Sequence, residues 1–293
     1  MAHILFSIIV FIVRLLPYPL YRLLAAPFVG AAFLFSRKLH RNAFESLTIA
    51  FGDSLPAQEK RRIARVSFFS LAWGLVDLLY YIARPQAAKG RFDVQGMEYL
   101  ERARQAGKGV IMVVAHLGPF AAMLSKFICE GYPVKVVMHS LRSKAWRQEL
   151  VAHPEMLVPQ PVFSAPLREC VVECFRVLKA NELLVMPIDQ NYGGPGRVFV
   201  DFFGRKAATA AGPAGYAVKT GAALLTAFAR PVKAGHWKIV VEPVVWDAAM
   251  DERLAVRHLT QVMTSRVEAE ARAFPEEWSW MHRRWKAVPK ENE

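Results

Sequence analysis

A chain of 293 residues is long enough for one large α/β domain or for two small domains. Its composition is 54% hydrophobic, and 38 Lys and Arg residues against 25 Asp and Glu give a formal charge of +13. So basic a chain is drawn to anionic surfaces, and its high apolar content favours a lipid surface over nucleic acid, whose binding proteins combine basic charge with polar surfaces. The three cysteines are too few for a disulfide framework, which indicates a domain that faces a reducing compartment.

The N-terminal segment is the most apolar part of the chain. Residues 1–36 hold only two strong charges, and Pro17 and Pro19 interrupt the apolar run, so that neither side of Arg14 offers a clean stretch of about 20 apolar residues. Basic residues follow directly: Arg37, Lys38 and Arg41. This pattern predicts a membrane anchor or interfacial helices over 1–36, with a buried hairpin of a soluble protein as the alternative. Residues 37–293 are predicted to form one domain on the cytoplasmic side.

The predicted elements of that domain begin with a long helix over residues 57–84, for which Asp53 or Ser54 is the expected cap. From residue 109 on, short apolar runs rich in β-branched residues alternate with amphipathic stretches. Strands are predicted over 109–115, 134–138, 183–188, 222–228 and 237–245. One helix is predicted to follow His116 and to end at about residue 130, and further helices are predicted over 143–150, 166–180 and 251–273. This alternation predicts an α/β fold with a mostly parallel central sheet flanked by helices.

Two titratable residues stand where predicted strands end. His116 follows the first strand of this region, and Asp189 follows the third. Ligands of parallel sheets bind beyond the carboxyl ends of the strands, which makes both residues candidates for a functional site. A lone histidine after a strand is also common as a structural residue, so that the position of His116 indicates a function only together with its surroundings.

Those surroundings resemble a known family. The segment Val114–Ala121 (VAHLGPFA) resembles the HxxxxE/D block of the lysophospholipid acyltransferase superfamily, to which the glycerolipid and late lipid A acyltransferases belong. Residues 189–221 are similar to the substrate block of that family, and residues 228–231 (FARP) to its arginine-bearing strand. The ending over 275–286 (PEEWSWMHRRWK) is similar to that of the lipid A lauroyl/myristoyl branch. The resemblance covers most of the chain at four spaced blocks.

The resemblance implies transfer of a fatty acyl chain from an acyl thioester to a hydroxyl of a glycolipid precursor in the inner membrane. It implies His116 as the general base, since an alcohol is a poor nucleophile at neutral pH until a positioned base removes its proton. Acyl carrier protein is the favoured donor, with acyl-CoA as the alternative, because an acidic carrier suits a basic surface. No metal, cofactor or nucleic acid is implied. The alternatives are another lipid acceptor and a non-catalytic lipid-binding relative.

The chain departs from the family pattern at the catalytic pair itself. The fifth residue after His116, where the family places Glu or Asp to orient the imidazole, is Ala121. The acid could have been substituted by design or lost in evolution, either of which leaves a crippled site. A third explanation is that Asp189 reaches His116 from a neighbouring strand end.

Further residues of the matched blocks are expected to bind the substrates. Backbone N–H groups over 117–120, or at the start of the helix that follows, are expected to stabilise an oxyanion. The expected substrate-binding residues are Gly118, Asp189, Gln190, Arg197, Phe203, Gly204, Arg205, Thr209 and Arg230. The aromatic and basic ending over 275–286 has two interpretations, a membrane-interface belt and a helix that docks on the core.

Overall fold

The computed structural model describes residues 2–139, 159–233 and 235–289, so that the helix predicted over 143–150 lies outside the described residues. The helices are α1 Ala2–Leu15, α2 Tyr18–Phe35, α3 Arg37–Phe51, α4 Ala57–Ala83, α5 Gln86–Lys89, α6 Met97–Gln105, α7 Phe120–Cys129, α8 Leu167–Lys179, α9 Gly212–Thr220 and α10 Glu252–Ala273. The strands are β1 Phe92–Gln95, β2 Val110–Val114, β3 Val134–Met138, β4 Gln160–Phe163, β5 Leu183–Pro187, β6 Arg197–Phe202, β7 Arg205–Ala210, β8 Ala223–Lys233 and β9 His236–Pro243.

The central sheet has seven strands in the order β1-β9-β8-β2-β5-β3-β4. Strand β2 lies in its middle and pairs in parallel with β5 on one side and β8 on the other. All five residues of β2 are buried, as expected for a strand covered by helices on both faces. Strands β9 and β1 run in the opposite direction to the rest. The predicted α/β fold with a mostly parallel sheet is confirmed.

Several elements escaped the sequence prediction. Strands β1 and β4 have only four residues each, too few for a clear periodicity. Strands β6 and β7 form a separate antiparallel hairpin whose two turn residues, Phe203 and Gly204, have φ of 53° and 71°, the conformation of a tight hairpin turn. Helix α4 begins at Ala57 with Pro56 as N-cap, and the expected caps Asp53 and Ser54 lie in a 3₁₀ turn instead.

Helix α4 connects the N-terminal helices to the α/β core. One side of it packs against α7, and α1, α2 and α3 pack around the rest. Helix α2 runs antiparallel to α4: the hydroxyl of Tyr21 donates to the carbonyl of Val76 at 2.6 Å, and Phe33 stacks on Phe69 at a ring distance of 5.0 Å. By length and composition alone, α2 and α4 are apolar enough to cross a membrane.

Candidate active site

The register of two neighbouring strands brings His116 and Asp189 together. Val114 of β2 is paired with Pro187 of β5, and each candidate residue lies two positions beyond its member of that pair. The N–H of Ile188 still donates to the carbonyl of Val114 at 3.3 Å, so that both chains leave the sheet side by side. The two side chains therefore meet at the carboxyl edge of the sheet, where α/β proteins bind ligands.

The Asp189 carboxylate holds His116 by two contacts. Oδ1 of Asp189 lies 2.8 Å from Nδ1 of the imidazole. Oδ2 accepts the backbone N–H of His116 and the indole N–H of Trp278, each at 2.9 Å. The aspartate is 3% exposed, so its charge is shielded from water and directed at these donors. This contact supplies the imidazole with the carboxylate that position 121 lacks.

Electrostatics favour a charged carboxylate beside the imidazole. Burial alone would raise the pKa of Asp189, but the charge of His116 and the hydrogen bonds from His116 and Trp278 outweigh it and lower that pKa. Burial alone would lower the pKa of His116, but the charge and hydrogen bond of Asp189 reverse this, and its pKa is raised. In the neutral imidazole, Nδ1 therefore carries the proton and donates to Asp189, while Nε2 presents a lone pair.

The C-terminal segment forms the other wall of the site. Its backbone runs antiparallel to the turn after His116: the N–H of Ser279 donates to the carbonyl of His116 at 2.9 Å, and the N–H of Gly118 to that of Glu277 at 2.8 Å. Trp278 and Trp280 are 1% and 0% exposed. The two buried tryptophans do not form a membrane-interface belt; the segment docks on the core, but as an irregular chain and not as a helix. The hydrogen bond from Trp278 to Asp189 was not predicted, because local sequence patterns carry no information on contacts between residues so far apart in the chain.

A buried cation lies behind the site. Arg284 is 0% exposed, and its guanidinium donates to the carbonyls of Gln190 and Ala208 at 3.0 and 2.6 Å and to the hydroxyl of Thr209 at 2.5 Å. Burial lowers the pKa of Arg284 to about 10, and the charge of Asp189 opposes that shift. Arg284 thus links the chain beyond β5 to strand β7. Thr209, predicted to bind substrate, contacts this buried arginine instead.

The expected oxyanion donors are partly occupied. The N–H of Leu117 bonds to the carbonyl of Ala115 at 2.8 Å, and that of Gly118 to Glu277, so that these two amides are used within the protein. The first turn of α7, which begins at Phe120, retains amides that have no intrahelical acceptor. Ala121 is the second residue of that turn, and its half-buried methyl group brings no charge to the site.

The structure groups the remaining predicted residues at the hairpin and at α10. Phe203 is buried under the guanidinium of Arg272 at 4.3 Å, and Gly204 completes the hairpin turn beside the exposed Arg205. Arg230 makes a bidentate ion pair with Glu270 of α10. Arg197, half-buried at the start of β6, donates to the carbonyl of Gly193 at 3.4 Å. Of the predicted residues, His116, Asp189 and Gln190 form the contact cluster, with Gly118 beside them.

Proteins of one family are similar to this chain over most of its length. The chain matches the family model described as bacterial lipid A biosynthesis acyltransferase over residues 2–147 and 164–287. It is 25% identical over 282 residues to the lipid A biosynthesis palmitoleoyltransferase of Escherichia coli K12, which covers 94% of this chain and 87% of that protein. It is 24% identical over 289 residues to the lipid A biosynthesis lauroyltransferase of the same organism, with 96% and 90% covered. A phosphatidylinositol mannoside acyltransferase of Mycolicibacterium smegmatis is 26% identical over 204 residues, 67% of this chain and 62% of that protein.

Proposed function

The chain belongs to the bacterial lipid A biosynthesis acyltransferase family and is an acyltransferase, and on this premise we propose which reaction its site performs. It transfers a fatty acyl chain from an acyl thioester, with acyl carrier protein as the favoured carrier, to a hydroxyl of a lipid A-type glycolipid precursor. The observation that carries the proposal is the 2.8 Å contact between Nδ1 of His116 and Oδ1 of Asp189. It supports a functional base in a chain whose position 121 is alanine.

The reaction follows from this geometry. Nε2 of His116 accepts the proton of the acceptor hydroxyl as its oxygen attacks the thioester carbonyl carbon. Asp189 stabilises the imidazolium that forms and keeps the ring in one orientation. The tetrahedral intermediate then collapses: the carbon–sulfur bond breaks, the thiolate takes the proton from the imidazolium, and an ester and a free thiol result. The histidine returns to its neutral form.

The N-terminal helices supply the contact with a membrane. Apolar side chains of α1 and α2 point to solvent: Ile8, Phe11, Ile12, Leu15, Leu20, Leu23, Leu24, Phe28, Leu34 and Phe35. Exposed basic residues of α3 and α4 follow: Arg37, Lys38, Arg41, Arg61, Arg62 and Arg65. An apolar face bordered by cations fits a bilayer with anionic headgroups. Because α2 lies along α4, we favour an arrangement in which α1 and α2 lie in the membrane interface, on the cytoplasmic face of the inner membrane, over one in which they span the bilayer.

A second acceptor class has an observation in its favour. The mycobacterial relative is named for acylation of a phosphatidylinositol mannoside, at 26% identity, and its similarity is of the same order as that of the lipid A enzymes. A sugar hydroxyl on an anionic lipid is common to both acceptors, so the same base and the same membrane surface would serve either. The identity of the acylated lipid that accumulates distinguishes the two acceptor classes.

The test is acyl transfer from an acyl-carrier-protein thioester to a phosphorylated glucosamine lipid, with a phosphatidylinositol mannoside as the second acceptor. We expect the parent protein to transfer the acyl group and the His116→Ala variant to be inactive. The matched control is His236→Ala, because His236 also contacts an aspartate, Asp93, at 2.8 Å but on the surface. Equal activity of His116→Ala and His236→Ala would overturn the assignment. Lipid binding without any transfer would favour the non-catalytic alternative.

A further inference from the structure

The imidazole nitrogen of His116 that does not contact Asp189 also has a hydrogen-bond partner. Nε2 of Gln190 lies 3.2 Å from Nε2 of His116. Since Nδ1 donates to Asp189, Nε2 of the imidazole is an acceptor, and the hydrogen-bond network assigns the amide N–H of Gln190 as its donor. An acceptor hydroxyl must reach that same nitrogen before it can be deprotonated. The amide therefore occupies the position of the acceptor hydroxyl.

The backbone of Gln190 is held by two hydrogen bonds, whereas its side chain is exposed. Its carbonyl accepts from the buried Arg284 at 3.0 Å, and the next N–H, of Asn191, donates to Nε2 of His282 at 2.8 Å. The side chain itself is exposed. A hydroxyl that docks on His116 can thus displace the amide by a change of rotamer, without movement of the chain beyond β5.

An amide displaced from His116 would lie close to the reacting carbonyl. The attacking oxygen sits about 2.6–3.2 Å from the base and about 3–3.5 Å from the carbonyl carbon, so that a donor next to the base starts close to the reacting group. The developing negative charge needs such donors. Because the amides of Leu117 and Gly118 already bond to Ala115 and Glu277, only the amides at the start of α7 remain of the expected backbone donors, and a side-chain donor would add to them.

We propose that Gln190 is a catalytic residue, whose side-chain amide leaves His116 when the acceptor docks and then donates a hydrogen bond to the thioester carbonyl oxygen as it becomes an oxyanion. This inference rests on the proposed acyl transfer. The amide exchanges no proton: the hydroxyl proton passes to His116 and then to the departing thiolate, while Gln190 stabilises the charge on oxygen during both steps.

The experiment compares Gln190→Met, which keeps the length but lacks an N–H donor, with Gln190→Glu and with the exposed control Gln58→Ala. Acyl transfer and thermal melting are measured for each. We expect Gln190→Met to lower kcat by about 10²–10³, the loss typical of one oxyanion donor, with little change in either KM or in melting. We expect Gln190→Glu to be at least as slow, because a carboxylate repels the oxyanion and pairs with the imidazolium.

Two outcomes would overturn the inference. If Gln190→Met is as fast as the parent or faster, the amide only covers the base. If it raises KM and leaves kcat unchanged, Gln190 only positions the acceptor. Both are separate from failure of the proposed function, which shows as an active His116→Ala variant or as a parent that transfers no acyl group.

Discussion

The indole N–H of Trp278 donates to Oδ2 of Asp189 at 2.9 Å, across 89 residues of chain. The same oxygen accepts the backbone N–H of His116, which leaves Oδ1 to face the imidazole. Two donors of fixed position thus hold the carboxylate in one orientation, and that orientation sets the tautomer of the base. On the proposed mechanism, Asp189 takes the place of the acid that the family pattern puts one helical turn after the histidine.

Replacement of Asp189 by asparagine tests this pairing. The asparagine side chain would keep the size of the aspartate but lose its charge, and its amide can favour the wrong imidazole tautomer. We expect Asp189→Asn to lower kcat by about 10⁴, as removal of the orienting carboxylate does in a comparable histidine site. Steady-state acyl transfer measures the loss, with Asp93→Asn as the control on the surface pair. A loss no larger than that of the control would contradict the role of Asp189.

Restoration of the family acid should bring no benefit. In Ala121→Glu the new carboxylate finds Nδ1 already bonded to Asp189, and any contact with Nε2 would block the hydroxyl. We therefore expect activity within about threefold of the parent, or lower, since the orienting role is already filled. The same assay at saturating substrates decides this. A gain of orders of magnitude would mean that position 121 is the functional acid position and that Asp189 is not sufficient.

The pH dependence should report the charge of Asp189. A general base acts in its neutral form, so kcat/KM falls as the pH decreases through the pKa of His116. Burial lowers that pKa, but Asp189 reverses the shift and raises it above the ordinary imidazole value, so that the acid limb lies at a correspondingly high pH. In Asp189→Asn we expect the limb to move to lower pH. A pH profile of kcat/KM measures both forms, and an unmoved limb would argue against the assignment.

The turn after His116 should not tolerate a side chain at Gly118. Its φ is +54°, and a Cβ there would lie 3.0 Å from the ring of Trp237. Gly107 has a φ of +72° with nothing within 4 Å and is the matched control. We expect both alanine variants to lose roughly 1–2 kcal/mol of stability from the left-handed backbone, but only Gly118→Ala to lose activity. Melting temperature and kcat, measured together, separate the two effects; equal kcat in both variants would show that crowding at the turn is harmless.

The exposed face of α2 should govern membrane binding. Leu24 and Phe28 are 52% and 77% exposed, so the double change to Glu should leave folding intact. We expect it to lower partition onto vesicles of phosphatidylethanolamine and phosphatidylglycerol by at least about tenfold, since each apolar side chain contributes about 1.5–3 kcal/mol when buried. Val245→Glu, 78% exposed outside these helices, is the control. Co-sedimentation measures the effect, and equal binding of all forms would exclude α2 as the contact surface.

Local patterns in the sequence determined most of the secondary structure. The buried run before His116 and the one before Asp189 are strands because β-branched and apolar residues follow each other without interruption, which is the signature of a strand covered on both faces. The sequence alone predicted that both candidates follow the ends of strands. The β6–β7 hairpin escaped because its turn residues, Phe203 and Gly204, do not form one of the common glycine-ending turn pairs that begin with Asn or Asp.

The composition of the cluster around His116 was decided only by the tertiary structure. Periodicity along one strand carries no information on which other strand pairs with it, and the pairing of Val114 with Pro187 joins segments 73 residues apart. That register places Asp189 at His116, and the packing of the C-terminal segment then adds Trp278 and the buried Arg284. The sequence by itself determined that a histidine stands at a strand end; hydrogen bonds between distant segments decided which carboxylate and which amide surround it.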